Sequence, residues 1–131
     1  MSELPADRRY TTDHEWAQGA GGNVTVGITT FAVEQLGDIT LVNLDVKAGD
    51  TIEVGKPFGT IESVKTLSDL FAPLSGKVVK VNADLGTKPE LVNEDCYGKA
   101  WMIVVAAADP ASVDALMDAK AYGEYLKTAA H

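Results

Sequence analysis

Short apolar runs alternate with polar positions along most of the chain, and turns rich in Gly, Asn and Asp separate them. This pattern is typical of an antiparallel β-protein, because alternate residues of a half-buried strand face the core. Strands so closely spaced favour a small sandwich or barrel over a sheet of β-α-β units. The pattern predicts strands at residues 23–28, 39–45, 58–62, 67–72, 76–82 and 101–106.

One internal segment has the pattern of a helix. Residues 30–36 are preceded by two threonines and followed by a glycine. Thr29 or Thr30 can accept a backbone N–H as the N-cap, and Gly37 can end the helix because it lacks a Cβ. A short helix between the first two predicted strands is the expected result.

The C-terminal region predicts further helices. Asp109 is a suitable N-cap, and Pro110 follows it where helices tolerate proline. One apolar stripe is formed by Val113, Leu116 and Met117. Gly123 weakens the continuation, although neighbouring tyrosines and a leucine allow another amphipathic turn or two. We expect this region to pack on the sheet.

Length and charge narrow the class of protein. A chain of 131 residues suits one domain, so we expect residues 1–131 to form a single unit. The net charge is -8, which argues against nucleic-acid binding because such binding needs clustered Lys and Arg. No apolar run approaches the roughly 18 residues that cross a bilayer, and no signal or transit segment is recognisable. With a single cysteine and no disulfide framework, the sequence favours a cytoplasmic protein.

Most residue constellations that enzymes use are missing from the sequence. It contains no Gly-rich dinucleotide or phosphate loop, no GxSxG and no HExxH, and its few Cys and His residues predict no metal site. His14 beside Glu15 could act as a base, but we favour a partly exposed histidine near the start of a strand. Cys96 has acidic neighbours that raise the pKa of a thiol, so we expect it to be unreactive.

The segment around Lys65 differs from an ordinary hairpin sequence. Strand-like runs flank Lys65 almost symmetrically, yet residues 63–66 include no Gly, Pro, Asn or Asp, the usual turn residues. If the hairpin forms, its tip carries a flexible lysine that a modifying enzyme could reach. Taken alone, spacing and turn chemistry still favour an ordinary solvated lysine, one of nine in the chain.

Motifs spread over the whole chain agree with those of one known family. Around the lysine they are Glu62-Ser63-Val64-Lys65-Thr66, Ser68-Asp69, Pro73-Leu74-Ser75-Gly76 and Val81-Asn82. Before it stand Tyr10-Thr11, His14-Glu15-Trp16, Val26-Gly27-Ile28-Thr29 and Leu36-Gly37-Asp38-Ile39, and after it Pro89, Leu91-Val92-Asn93, Tyr97-Gly98 and Trp101. In order and spacing this set resembles the glycine cleavage H-protein family over roughly residues 9–127.

The resemblance implies a fold and a role. The fold is mainly β, a flattened barrel-sandwich hybrid of the lipoyl/biotinyl type with a short internal helix and C-terminal helices. The role is that of a carrier rather than an enzyme, with lipoic acid attached to Lys65 through an amide. The arm would shuttle the aminomethyl group of glycine from glycine decarboxylase to an aminomethyltransferase, and electrons to dihydrolipoamide dehydrogenase. A lipoate ligase or lipoyl transferase would attach the cofactor, and we expect a monomer without nucleic-acid or membrane partners.

Two carboxylates match acidic positions of the family's motifs. Glu15 belongs to the opening motif, and Asp69 to the Ser-Asp pair after the lysine. The resemblance implies that both contact the loaded arm, since an opposite charge at close range favours a cationic amine. A solvated surface role stays open for each, because acidic side chains are usually exposed. Glu62 is instead expected to serve recognition by the lipoylating enzyme or an ion pair.

Three other interpretations stay open on the sequence. A lipoyl or biotinyl domain of another complex would share the lysine, although biotinyl sites favour Met where Val64 and Thr66 stand. A relay protein that hands lipoyl groups to other acceptors would share every motif. A small enzyme would use Glu15, His14 and Asp69 directly.

Overall fold

The computed structural model describes residues 4–20, 22–109 and 111–129. Within these ranges the strands are β1 (Arg9–Tyr10), β2 (Glu15–Ala20), β3 (Asn23–Ile28), β4 (Ile39–Leu44), β5 (Thr51–Ile52), β6 (Pro57–Ser63), β7 (Leu67–Phe71), β8 (Gly76–Val81) and β9 (Ile103–Ala107). The helices are α1 (Thr30–Leu36), α2 (Asp84–Thr87), α3 (Leu91–Glu94), α4 (Ala111–Asp114) and α5 (Ala119–Ala129).

The strands form two antiparallel sheets. The larger has the order β1-β2-β3-β9-β8-β5, and the smaller has the order β4-β6-β7. Neither sheet closes on itself, so the mainly β fold expected from the sequence is confirmed as two open sheets rather than a closed barrel. The internal helix and the C-terminal helices are also confirmed.

One apolar core joins the two sheets. It takes Val26 and Val105 from the larger sheet and Val42 and Ile61 from the smaller one, all of them buried. Phe58 on β6 is completely buried in the same cluster. Because each sheet buries one face against the other, their shared apolar surface supplies most of the force that holds them together.

A second, aromatic cluster fastens the C-terminal helix to the larger sheet. Tyr10 and Tyr122 stack with their ring centroids 4.7 Å apart, and Trp16 is buried beside them. Since Tyr122 belongs to α5 and the other two rings to β1 and β2, this cluster brings the end of the chain next to its beginning.

Local sequence rules predict α1 and most strands well. The Thr29 hydroxyl accepts the N–H of Ala32 at 3.3 Å as the N-cap, and Gly37 ends the helix with φ 83°. β3 has the predicted bounds, and the five other predicted strands agree to within two residues at either end. These elements could be predicted because helix caps, and the alternation of apolar and polar residues in strands, involve residues that are neighbours in the sequence.

The predicted apolar stripe of the C-terminal helix was partly wrong. The Asp109 carboxylate accepts the N–H of Ala111 at 3.1 Å as expected, whereas Pro110 lies outside the described residues. α4 ends at Asp114, so Met117 is not helical; it pairs with Tyr10 of β1 through both backbone hydrogen bonds, 2.7 and 3.1 Å long. Gly123 does not interrupt α5. Within the described ranges, no helix is long and apolar enough to cross a membrane.

Candidate functional site

Lys65 lies at the exposed apex of the hairpin that β6 and β7 form. Glu62 and Leu67 face each other as the last paired residues below the apex. Val64, next to the lysine, is 67% exposed, and Leu67 is 62% exposed. The structure therefore presents Lys65 on a protruding turn, as expected from the sequence.

The side chain of Ser63 explains how the turn forms without the usual turn residues. Its hydroxyl oxygen accepts the backbone N–H groups of Lys65 and Thr66, each at 3.2 Å. The Ser63 N–H also donates to the Thr66 carbonyl at 2.8 Å, which closes the turn. Serine can stabilise a turn in this way through its own backbone neighbours.

The loop between α1 and β4 supports the apex from below. The Val64 N–H donates to the Asp38 carbonyl at 3.0 Å. Asn93 of α3 fixes this loop from the other side, because its amide donates to the Gly37 carbonyl at 3.0 Å and accepts the Ile39 N–H at 2.8 Å. A Cβ at Gly37 would lie 3.1 Å from Cε of Lys65, so the lysine stem rests on a backbone that has no side chain.

Ser63→Ala is expected to loosen the apex without unfolding the protein. The two N–H groups lose their acceptor and turn to water, which costs about 1 kcal/mol of turn stability. We expect a several-fold lower kcat/KM for enzymatic modification of Lys65, measured by mass spectrometry over time. Thr66→Ala is the matched control, because that hydroxyl makes only a 3.4 Å contact with the next carbonyl. Equal rates for the two variants would show that the Ser63 hydroxyl does not organise the turn.

A cleft of about 310 Å³ lies beside the hairpin, between the start of β2, helix α1 and strand β7. Its walls include the two predicted carboxylates, Glu15 and Asp69, together with His14. Leu36 also lines the cleft, and the next residue along the chain is Gly37, on which the stem of Lys65 rests. The structure thus brings the predicted carboxylates together at one cleft, and the backbone on which the Lys65 stem rests adjoins a residue of its lining.

Glu15 is an unusual carboxylate because it is only 2% exposed. Its two oxygens accept the Thr11 hydroxyl at 2.8 Å and the Phe71 N–H at 3.3 Å. Burial nevertheless raises the pKa of Glu15 to about 8, with a smaller contribution from the Asp13 charge. No ion pair involves Glu15 in the described ranges. The cleft therefore contains a buried acid that forms no ion pair with a described residue.

Asp69 and Cys96 differ from Glu15 in burial and in accessibility. Asp69 is exposed on β7, so its carboxylate is hydrated at the edge of the cleft. Cys96 is buried, and burial more than the neighbouring Asp95 raises the pKa of its thiol to about 11. The thiol is therefore protonated at neutral pH, as its sequence context suggests, although burial is the larger cause. The part of the chain that the structure describes contains no group of three or more residues that could hold a metal.

The residues around the cleft fit a covalent lipoyl arm. The Lys65 stem rests on Gly37, whose chain neighbour Leu36 lines the cleft, and apolar side chains of α1 and β7 share the walls with two carboxylates. Sequence reasoning missed Thr11, whose hydroxyl orients Glu15, and Tyr122, which bonds to His14 from the far end of the chain. Thr11 lies only four residues from Glu15, yet the turn that brings the two side chains together was not predicted, whereas the contact of Tyr122 with His14 is tertiary.

Comparison with known proteins supports this assignment. Residues 8–129 match the family described as "Glycine cleavage H-protein". A glycine cleavage system H protein of Halalkalibacterium halodurans is 51% identical over 126 residues, which are 96% of this chain and 98% of that protein. That of Magnetococcus marinus is 50% identical over 125 residues, 95% and 89% of the two chains. The chain belongs to the glycine cleavage H-protein family.

A solved structure agrees with the sequence comparison. The crystal structure of a glycine cleavage system H protein from Mycobacterium marinum superposes with a TM-score of 0.83 at 40% identity, covering 98% of this chain and 100% of that one. Proteins of this family are lipoyl carriers of the glycine cleavage system and act with its P-, T- and L-proteins. They bear lipoate on a lysine and are carriers, so the open alternative of a small enzyme is contradicted.

Proposed function

We propose that Lys65 is the lysine that carries lipoate, and that residues 1–131 form one carrier domain. The observation that supports this most directly is the position of Lys65 at an exposed apex, held by Ser63 and by the Asp38 carbonyl. A modifying enzyme can enclose such a turn without disturbing the core. The arm then carries the aminomethyl group of glycine from glycine decarboxylase to an aminomethyltransferase, and electrons to dihydrolipoamide dehydrogenase.

A tethered arm suits this sequence of reactions. When the carrier is bound, a flexible tether gives an effective concentration on the order of mM at each active site. The dithiol and disulfide forms of lipoate hold two electrons between enzymes. The protein contributes a flexible stem at Lys65, a firm turn beneath it and a cleft beside it.

The carboxylates at the cleft are proposed to hold the cationic amine of the loaded arm. Glu15 is buried, already oriented by Thr11 and Phe71, and has no cation of its own. Asp69 stands at the exposed edge of the same cleft. Asp69 offers negative charge to an ammonium group that enters past Gly37. Glu15, whose pKa burial raises to about 8, is mostly protonated at pH 7, and an ammonium group beside it lowers that pKa and leaves a poorly hydrated carboxylate in contact with the charge.

Attachment and location complete the proposal. A lipoate ligase or lipoyl transferase attaches the cofactor, and the acidic net charge of -8 favours partners with basic surfaces. We place the protein in the cytoplasm and expect it to work as a monomer, because its core is complete within one chain.

Mass spectrometry tests the attachment site. Co-expression with a lipoate ligase and added lipoate is expected to add one lipoyl group, and peptide mapping is expected to place it on Lys65. Modification at another lysine, or none under conditions that modify a known lipoyl domain, would overturn the proposal. Glycine oxidation reconstituted with the three partner enzymes then separates a glycine carrier from a lipoyl relay protein, which would leave the oxidation unsupported.

Asp69→Ala is expected to leave lipoylation intact and to shorten the lifetime of the aminomethyl group on the carrier. Removing this charge weakens the hold on the amine by about 1 kcal/mol or less, because Asp69 is exposed to water. The expected change is therefore a few-fold, measured as ammonia release from isolated loaded carrier. Glu90→Ala removes an exposed carboxylate that does not line the cleft and serves as the control. Identical lifetimes in both variants would remove Asp69 from the site.

A further inference from the structure

The hydroxyl of Tyr122 links three elements of the fold, one of which carries His14 at the cleft. It lies 2.8 Å from Nδ1 of His14, just before β2, and 2.8 Å from the hydroxyl of Thr29, the N-cap of α1. Tyr122 itself belongs to α5 and is completely buried, as is Thr29. A C-terminal side chain therefore contacts a residue that lines the cleft proposed for the arm.

The direction of these hydrogen bonds follows from counting protons. The Thr29 oxygen already accepts the Ala32 N–H at 3.3 Å, so its own proton needs an acceptor in a completely buried place. In the described part of the chain, the Tyr122 oxygen is the acceptor available to that proton. The Tyr122 proton is then free to point at Nδ1 of His14. Thr29 therefore donates to Tyr122, and Tyr122 donates to His14. This arrangement leaves neither hydroxyl proton without an acceptor.

This order determines which nitrogen of His14 carries the proton. Burial lowers the pKa of His14 despite the Asp13 charge, so the ring is neutral at pH 7. A neutral ring whose Nδ1 accepts a hydrogen bond carries its proton on Nε2. Nε2 has no hydrogen-bond partner among the described residues and is not sealed from solvent.

The backbone of His14 is also held in an unusual state. Its φ is 69°, the one positive value among the described residues other than glycine. Such a conformation costs about 1 kcal/mol or more and persists where surrounding contacts impose it. Here the ring packs on Phe31 with centroids 4.5 Å apart, and the His14 carbonyl accepts the Thr29 N–H at 3.0 Å. The position of the ring at the cleft wall is therefore set by its neighbours.

We propose that Tyr122 is a positioning residue that holds His14 with its proton on Nε2, so that the cleft wall presents no basic nitrogen to the ammonium group of the arm. This inference rests on the proposed function, because it concerns the cleft that receives the arm. It assigns a role in that cleft to the C-terminal helix, which contributes no side chain to the cleft lining.

The chemistry of the aminomethyl group explains why the position of the His14 proton matters. A carbon that bears both an amine and a sulfur breaks its bond to sulfur when the nitrogen lone pair is free. The lone pair then forms C=N, and the electron pair of the C–S bond leaves on sulfur. A proton on the amine occupies the lone pair and prevents this. A basic Nε2 would accept that proton, whereas Nε2–H directs the ammonium to the carboxylates of Glu15 and Asp69.

Nitrogen NMR of the unlipoylated protein tests the tautomer directly. In the wild type, long-range proton–nitrogen spectra are expected to show His14 as a single Nε2–H form, with His131→Gln used for assignment. Tyr122→Phe removes only the hydroxyl, and a substantial Nδ1–H population is expected to appear. Tyr10→Phe is the matched control, since that ring stacks on Tyr122 and is equally buried, but its hydroxyl donates to the Pro5 carbonyl at 2.6 Å.

The lifetime of the aminomethyl group on the carrier provides a second measurement. With lipoylation complete in all three proteins, the aminomethyl group is expected to leave Tyr122→Phe several-fold faster than it leaves Tyr10→Phe or the wild type. An Nδ1–H ring in the wild type, an unchanged tautomer in Tyr122→Phe, or equal lifetimes in the two variants would each overturn the proposal. A protein that takes no lipoate on Lys65 would contradict the proposed function, yet the tautomer of the unmodified chain would still be measured.

Discussion

Lys65→Arg is expected to abolish glycine oxidation while leaving the fold intact. Arginine keeps the positive charge and a long stem, but its guanidinium does not form the amide that lipoate needs. Lys65 is exposed and makes no ion pair in the described ranges, so we expect unfolding free energies within about 0.5 kcal/mol of the wild type. Reconstituted oxidation should fall to the level measured without carrier, and intact mass should show no lipoyl addition.

Lys80→Arg is the matched control for this result. Lys80 is another exposed lysine, on β8 and away from the β6–β7 apex, and its replacement should leave lipoylation and oxidation unchanged. Residual lipoylation of Lys65→Arg would mean that a second lysine accepts the cofactor. Normal glycine oxidation by a variant that carries no lipoate would contradict the carrier function of this chain.

Glu15→Gln is expected to change how stability depends on pH. Burial raises the pKa of Glu15 from 4.5 to about 8 in the folded protein. Between these values the folded chain retains a proton that the unfolded chain has lost, so stability falls as pH rises from about 4.5 to 8 and is constant with respect to this group outside that window. At about 1.4 kcal/mol per pKa unit, the loss is several kcal/mol.

Urea unfolding at pH 5 and pH 8.5 measures the effect. Glutamine does not titrate, so the fall in unfolding free energy between the two pH values should be smaller in Glu15→Gln by several kcal/mol. At pH 5 the variant should lose about 1 kcal/mol, because one hydrogen bond to Thr11 or Phe71 is no longer made as before. If the unfolding free energies of the wild type and Glu15→Gln changed with pH in parallel, Glu15 would not be a buried acid.

The cost of burying Glu15 is consistent with a site for a cation. An ammonium group beside the carboxylate would lower its pKa and recover the stability that ionisation removes. Without such a cation, the protein is less stable at pH 8 than it would be with a neutral side chain at this position. Natural proteins tolerate such local conflicts where function requires them.

The parts of the fold that were predicted correctly depend on contiguous residues. α1 has its N-cap Thr29 and its stop Gly37 next to it in the sequence, and polar and buried apolar residues alternate over the first four positions of β3. The short elements β1, β5, α2 and α3 were missed, since two to four residues carry too little pattern to be recognised. A strand start was expected beside His14, but β2 was absent from the strands predicted by alternation, because its sequence, EWAQGA, contains small residues and a glycine instead of β-branched ones.

In the candidate site, too, some features could be predicted from the sequence and others depend on tertiary packing. Lys65, Glu15 and Asp69 were all identified through motifs that resemble those of the family, whereas the residues flanking Lys65 alone favoured an ordinary solvated lysine. That Glu15 is buried while Asp69 is exposed could not be predicted, because their burial depends on how β2 and β7 pack at the cleft. The bond between Tyr122 and His14 joins residues 108 positions apart, a separation at which local pattern carries no information.

The sequence by itself determined the alternation of strands, the limits of α1 and the lysine between two symmetrical strand runs, since each of these is encoded by neighbouring residues. Tertiary structure alone decided the rest: the turn supported by the Asp38 carbonyl, the cleft beside it, the raised pKa of Glu15 and the ring nitrogen of His14 that carries the proton. The reason is physical. Burial and hydrogen-bond direction depend on which distant segments exclude water from a group, and that is settled only when the two sheets and α5 pack together.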